Sequence, residues 1–211
     1  MLEIINFVLG PVATNVFMIA STAEREAVVV DPAWDGHLIA VEAQKRSWKI
    51  SQIWITHAHF DHIAGTTALL QKTDPIPTVA LHSADLPLWQ KQGGASFFGV
   101  RIEPIPDPGV ILSDGQILGL GDEKFEVRHA PGHTPGHVIF YCTAEKLVFC
   151  GDVIFQNGIG RTDLPGGSFP QLLNSIQTQI LSLPDDTRLL SGHGPETTVG
   201  EERRNNLFLF I

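Results

Sequence analysis

Short runs of β-branched and aromatic residues, cut by turn residues, open the chain: Ile4–Leu9, Val16–Ala20 and Ala27–Val30, separated by Gly10-Pro11 and the polar stretch Ser21–Glu26. Runs of this length bounded by Gly, Pro and polar clusters predict strands. Asp31-Pro32 closes the third run, and Leu38, Ile39, Val41 and Ala43 predict a helix to Arg46. Ile50–Ile55 reads as a buried strand that leads straight into a polar, histidine-rich stretch from Thr56 to His62. Ile63–Gln71, apolar at Ala64, Ala68 and Leu69, predicts a helix; a strand at Thr78–Leu81 and a short helix over Ala84–Lys91 follow.

The middle of the chain is rich in turn formers, with Gly93-Gly94, Pro104, Pro106, Pro108 and Gly109. At this length it reads as a surface loop joining two halves of one unit. Strand patterns resume at Gln116–Leu120, Lys124–His129, His137–Tyr141 and Leu147–Cys150. A helix at Ser168–Leu181, a strand at Arg188–Leu190 and a terminal helix near Thr198–Leu207 complete the pattern. The order sheet, helices, sheet, helices thus occurs twice without a visible sequence repeat. It predicts an α/β unit over residues 1–211 in which two sheets pack together with helices outside.

Composition narrows the classes. Hydrophobic residues are 43% and charged residues 18% of 211, enough apolar matter for a real core. A formal charge of −9 argues against a nucleic-acid partner, since no basic stripe is present to neutralise phosphates. The first residues, Met1-Leu2-Glu3-Ile4, carry no positive leader, and nowhere do apolar residues run to the ~18 that a membrane span needs. The expectation is a soluble cytoplasmic chain whose two cysteines, Cys142 and Cys150, are reduced and buried.

The chemistry is concentrated in Thr56-His57-Ala58-His59-Phe60-Asp61-His62. Alternation puts His57 and His59 on one side of the extended segment leaving a strand, and Asp61 and His62 open the next helix. His133 lies in His129-Ala130-Pro131-Gly132-His133-Thr134-Pro135-Gly136-His137, Asp152 in Cys150-Gly151-Asp152, and His193 in Ser191-Gly192-His193-Gly194-Pro195. Each of these follows a predicted strand beside a glycine, a residue that lets the backbone approach a crowded site. Five imidazoles and two carboxylates exceed what one tetrahedral zinc ion uses. They suit two cations ~3.5–4 Å apart. Nitrogen and oxygen donors favour zinc and leave iron and manganese open. His129 and His137, flanking His133, are candidates for holding the ligands from behind.

His-x-His-x-Asp-His followed by His133, Asp152 and His193 resembles the metallo-β-lactamase superfamily over nearly the whole chain. The resemblance implies a four-layer αββα sandwich. It implies further that His57, His59 and His133 hold one metal and that Asp61, His62 and His193 hold the second, with Asp152 bridging. The Pro131-Gly132-His133-Thr134-Pro135-Gly136 and Gly151-Asp152 elements resemble the glyoxalase II group, which hydrolyses acyl-glutathione thioesters. Gly158-Ile159-Gly160-Arg161-Thr162-Asp163 and Gly200-Glu201-Glu202-Arg203 resemble its short bacterial forms. Long members carry a C-terminal helical domain whose basic residues grip glutathione, and this sequence ends at Ile211 without one. Where they place a lysine and a tyrosine, this chain has Arg161 and Asp163, and their Asn-Pro-Phe reads Asn206-Leu207-Phe208. Arg161 is either a bidentate partner for a glutathione carboxylate or a salt bridge with Asp163. True β-lactamases usually lack the full Asp-His pair after the leading histidines, which argues against antibiotic hydrolysis.

The implied reaction is hydrolysis of a small thioester such as S-D-lactoylglutathione, with Asp61 and Asp152 as catalytic carboxylates. Paired cations supply hydroxide near neutral pH, and a thiol of pKa ~8.5 departs as thiolate without a strong acid. The rival implied by the same fold is a persulfide dioxygenase with one iron on His57, His133 and Asp152.

Overall fold

The computed structural model describes residues 2–210; Met1 and Ile211, the ends of the expected 1–211 unit, lie outside the described residues. One six-stranded sheet runs in chain order: β1 (Leu2–Leu9), β2 (Thr14–Ser21), β3 (Glu26–Val30), β4 (Lys49–Trp54), β5 (Thr78–His82) and β6 (Val110–Leu112). β1, β2 and β3 pair antiparallel, and β3 through β6 pair parallel. The second sheet, also six-stranded, contains β7 (Ile117–Leu120), β8 (Glu123–His129), β9 (Val138–Cys142), β10 (Leu147–Gly151), β13 (Arg188–Ser191) and β14 (Thr197–Thr198). Its neighbours are antiparallel except for the parallel β10–β13 pair. A small hairpin, β11 (Ile154–Phe155) with β12 (Gly158–Ile159), stands beside it.

The period-two alternation of strand side chains builds the layers. In β2, Phe17 and Ile19 point into the space between the sheets, where they meet Phe125, Val127, Phe140 and Phe149. Val16, Met18 and Ala20 point the other way, onto Ile39, Ala40 and Ala43 of α1 (Gly36–Arg46) and onto Ile63 and Leu69. β2 is therefore buried along its full length. The far face of the second sheet, through Ile139, Val148, Cys150 and Leu189, is covered by Leu172 of α5 (Phe169–Ser175) and by Ile176 and Ile180 in the wider turns that continue it. The result is the expected αββα order of four layers. Trp54, the last residue of β4, fills the middle of the inter-sheet core, with its ring 5.0 Å from Phe125 and 5.3 Å from Phe140. Full burial of each such side chain contributes about 1.5–3 kcal/mol relative to leaving it exposed.

Several elements differ from the sequence pattern. The helix expected over 63–71 is two short ones, α2 (Phe60–Ile63) and α3 (Thr66–Leu70). They are joined at Gly65, whose amide donates to Pro32 O at 2.9 Å. A Cβ at Gly65 would lie 3.0 Å from that oxygen, so the chain turns where two backbones touch. The helix expected over 84–91 is a 3-10 turn at Ser83–Asp85 followed by α4 (Leu86–Gln90). The turn-rich middle contains 3-10 turns over Gln92–Phe98 and then supplies the edge strand β6. The terminal helix, α6 (Val199–Asn205), is capped by Thr198 Oγ1, which accepts the Glu201 amide at 3.2 Å. Among the described residues no helix is long and apolar enough to cross a membrane.

Candidate metal centre

The site lies where the two sheets meet, on the loops that leave their strands. β4 gives way to an extended segment carrying His57 and His59, and α2 starts at once with Asp61 and His62 in its first turn. The β8–β9 connection supplies His133, the end of β10 supplies Asp152, and the end of β13 supplies His193. Six of them come together in two groups, with Asp152 between. Donor atoms of His57, His59 and His133 lie within 4.8 Å of one another, as do those of Asp61, His62 and His193. Asp152 sits between the groups: Oδ1 is 3.3 Å from His62 Nε2, and Oδ2 is 3.5 Å from His133 Nε2 and 3.6 Å from His193 Nε2. Asp61 Oδ2 is 3.2 Å from His193 Nε2.

Hydrogen bonds behind the rings decide which nitrogens carry protons. Thr56 Oγ1 donates to Asp31 Oδ2 at 2.6 Å, so at 3.0 Å from His57 Nδ1 it accepts. That puts the proton on Nδ1 and leaves the Nε2 lone pair facing the site. His62 Nδ1 donates to Asp31 Oδ2 at 3.0 Å and His133 Nδ1 to the carbonyl of Arg161 at 2.7 Å, with the same effect. The network thus aims three Nε2 atoms inward, and on His57 and His133, which burial holds neutral, these atoms bear lone pairs. His57 Nε2, His62 Nε2 and Asp152 Oδ1 are buried without a hydrogen-bond partner among the described residues. Orphaned buried polar atoms cost stability unless something else satisfies them. Divalent cations fit that need, since the atoms on offer are nitrogen and carboxylate oxygen.

Charge follows the same plan. Burial and the neighbouring His133 push His59 down to about 3, and burial likewise pushes His57 and His133 below the ordinary histidine range. His62 goes the other way: burial opposes its charge, but Asp152 and Asp61 hold it up. For Asp152, burial is outweighed by His62, which keeps the carboxylate ionised. Without metal, His62 and His193 are thus held toward their protonated forms against Asp61 and Asp152, while His57, His59 and His133 are held neutral, and cations would take the place of those protons.

Asp31 was legible only as the end of a strand. Its left-handed backbone, φ 52°, turns the carboxylate back so that both oxygens serve Thr56 and His62. With both oxygens occupied in this way, Asp31 orients His57 and His62, with which it also forms a third group of close donor atoms. Asp85 is a second residue that sequence reasoning passed over. Fully buried, it accepts the Ala58 amide and the Thr134 hydroxyl on one oxygen and the Gly136 amide on the other. Asn15 is a third: its side-chain amide donates to Ser191 O and Gly194 O, both at 2.8 Å, and fixes the His193 loop. Gly192 is required for approach, because a Cβ there would stand 2.3 Å from Asp152 Oδ1.

The two flanking histidines have different places. His137 stacks on His57, centroids 4.7 Å apart, and its Nε2 accepts the Asp152 amide at 3.0 Å. It is an acceptor behind Asp152, not a donor to a ligand ring. His129 stacks on His82 and donates to Pro135 O, so it braces the 131–136 loop from outside. Cys142 and Cys150 are free and buried, and burial pushes the Cys150 thiol up to about 12.

The donors open onto a cleft of 430 Å³, walled also by Phe60, Phe98, Phe155, Ile159 and Leu164. Arg161 lines it while its guanidinium makes a bidentate pair with Asp163, at 2.7 and 2.8 Å. The hairpin that carries this side of the cleft is held by Glu202, buried, which accepts the Asn157 amide, and by Asn206, which donates to Gly158 O.

A sequence model described as the Metallo-beta-lactamase superfamily matches residues 9–193, a span that takes in every donor. The chain belongs to the metallo-β-lactamase superfamily. Within it, the chain is 35% identical over 188 residues to the hydroxyacylglutathione hydrolase GloC of Haemophilus influenzae, covering 88% of each. Among solved structures it is similar to the BLEG-1 B3 metallo-beta-lactamase, with 36% identity, 99% of both chains covered and a TM-score of 0.90. It is also similar to TTHA1623 in a di-iron-bound form, with 37% identity, 97% of this chain and 100% of that one covered, and a TM-score of 0.88.

Proposed function

We propose that this member of the superfamily is a binuclear metal-dependent hydrolase of acyl thioesters of the acyl-glutathione type, S-D-lactoylglutathione among them. The observation that carries the reading is the convergence of seven candidate donors around buried atoms of His57, His62 and Asp152 that have no hydrogen-bond partner among the described residues. His57, His59 and His133 would hold one cation and Asp61, His62 and His193 the other, with Asp152 shared. A pair of divalent cations, zinc first and iron or manganese as alternatives, would supply Lewis acidity and an activated water near neutral pH when bound.

The chain's own groups do the rest. Asp61 faces the cleft beside His193, where its carboxylate orients the attacking oxygen. Asp31 and Thr56 keep His57 and His62 in the tautomers that leave Nε2 free. The aromatic wall of Phe60, Phe98 and Phe155 limits bulk water around the carbonyl. Arg161 exchanges its Asp163 partner for a substrate carboxylate. Overall, a water oxygen would bond to the acyl carbon as the C–S bond breaks, one of its protons passing to solvent, and sulfur would leave as thiolate and take a proton from solvent. Similarity to a hydroxyacylglutathione hydrolase supports the thioester class.

The deciding experiment is hydrolysis of S-D-lactoylglutathione by protein reloaded separately with zinc, iron and manganese, alongside His57→Ala. Thiol release that vanishes in the variant is the expected result. Oxygen uptake with glutathione persulfide, or turnover of a β-lactam, in the absence of thioester cleavage would replace the reading.

A further inference from the structure

A second cavity of 250 Å³ adjoins the cleft on the far side of His59. His59, Phe98 and Leu164 line both spaces, so the chamber shares a wall with the donors themselves. Its other walls include Leu88, Phe97 and Pro135, and its floor is Gly93-Gly94. Gly93 adopts φ +64°, and a Cβ there would lie 2.3 Å from Phe60 N, so the floor packs directly on the loop that carries His59. Phe97 and Phe98 are 73% and 46% exposed at the chamber. Adjacent aromatic rings left open beside a cavity form the kind of apolar patch that marks a binding surface. Lys91 is the one lining residue with a full charge, and its long stem adds apolar wall.

The two sides of the donor cluster thus differ in chemistry. The cleft holds Arg161, a partner for carboxylate, whereas the chamber offers almost no polar group. A thioester has the same division, between a thiol arm and an acyl arm. Resting on the thioester reading above, we infer that the chamber is the acyl subsite and that it takes a straight, apolar acyl chain. At about 30 Å³ for a group the size of water, the space accommodates on the order of eight heavy atoms. The preferred substrate is then a medium-chain acyl thioester, with small hydroxylated acyl groups at the weak end of the series.

The test is calorimetric titration of zinc-loaded protein with the straight-chain carboxylates from acetate to octanoate, the product acids of that series. Affinity is expected to rise about fourfold for each added methylene that is buried and to level off once the chamber is full. Ala84→Trp places an indole in the chamber, and Phe97→Ser removes an exposed wall without touching the core. In each, the ratio of octanoate to butanoate affinity is expected to fall at least about tenfold, which corresponds to two or more methylenes losing contact. A flat series in the parent chain, or one equally steep in both variants, overturns the assignment. Thiol release from the matching acyl thioesters is followed in parallel. A steep carboxylate series with no thiol release would sink the thioester reading and leave the chamber assigned.

Discussion

Asp85 and Gly136, 51 residues apart in the chain, are joined by a 2.6 Å hydrogen bond from the Gly136 amide to Asp85 Oδ1. The other oxygen of the same carboxylate takes the Ala58 amide at 2.9 Å and the Thr134 hydroxyl at 2.8 Å. One side chain therefore fastens the loop carrying His57 and His59 to the loop carrying His133. Removing it in Asp85→Ala strands three buried donors, each worth about 1–3 kcal/mol. We expect the metal-free variant to melt at least about 6 °C lower, at roughly 2–4 °C per kcal/mol for a chain of this size. Asp85→Asn, which keeps one acceptor oxygen, is expected to fall between. A melting temperature for Asp85→Ala within a degree of the parent would show that the two loops need no clamp.

Metal content separates ligands from the groups behind them. His57→Ala and Asp152→Ala are expected to lose bound metal on dialysis and all turnover with it, read by elemental analysis and thiol release. Asp31→Ala keeps every donor but frees the rings of His57 and His62. It is expected to bind metal about 10–100-fold more weakly, the usual loss for a group of this kind. Full occupancy in Asp31→Ala under limiting metal would refute its positioning role.

The buried histidines set an acid limit on the metal-free protein. His59 lies at about 3 when folded, because of burial and then His133, against 6.5 for a free histidine. Between those values the unfolded chain binds the extra proton. The contribution of a neutral His59 is therefore complete above pH 6.5 and is lost as pH falls toward 3. His193 has the opposite sign. Burial is outweighed by its hydrogen bond to Asp61, so its contribution is present at low pH and is lost as pH rises through its raised value. Melting temperature measured from pH 7 down to pH 4 is expected to drop more steeply in the parent than in His59→Gln. Equal slopes would mean that His59 is protonated in the folded chain.

Arg161 and Asp163 form an exposed pair in which the Arg161 guanidinium holds the carboxyl down to about 2. If Arg161 also grips a substrate carboxylate, the two acids compete for it. Arg161→Ala is then expected to raise KM for S-D-lactoylglutathione about tenfold with kcat little changed, and Asp163→Ala to lower it. Unchanged KM in both would confine the pair to bracing the loop.

The sequence pattern reached two packed sheets with helices outside and singled out seven residues that the fold brings together, because alternation and glycines beside strand ends are local signals. Phe17 and Ile19 against Val16 and Met18 are readable as two faces of one strand before any neighbour is known. Asp31, Asp85 and Asn15 carry no such signal. Each acts across a distance in the chain, and a single aspartate before a proline or inside a short helix looks like any turn or cap. The break at Gly65 was hidden for the same reason: the contact that forces it comes from Pro32. The strands β6, β11, β12 and β14 have two or three residues apiece, too few for a periodicity to show.

The site's position on the seam between the sheets has one more consequence. Asp61 and His62 are anchored to the first sheet, while Asp152 and His193 are anchored to the second. The binding pocket is thus a property of the joint and not of either half. A fragment ending before β7 would hold four of the donors and none of their counterparts. Saturation of both positions would therefore serve as a stoichiometric readout that the entire polypeptide has closed on itself, detectable in refolding by metal uptake alone.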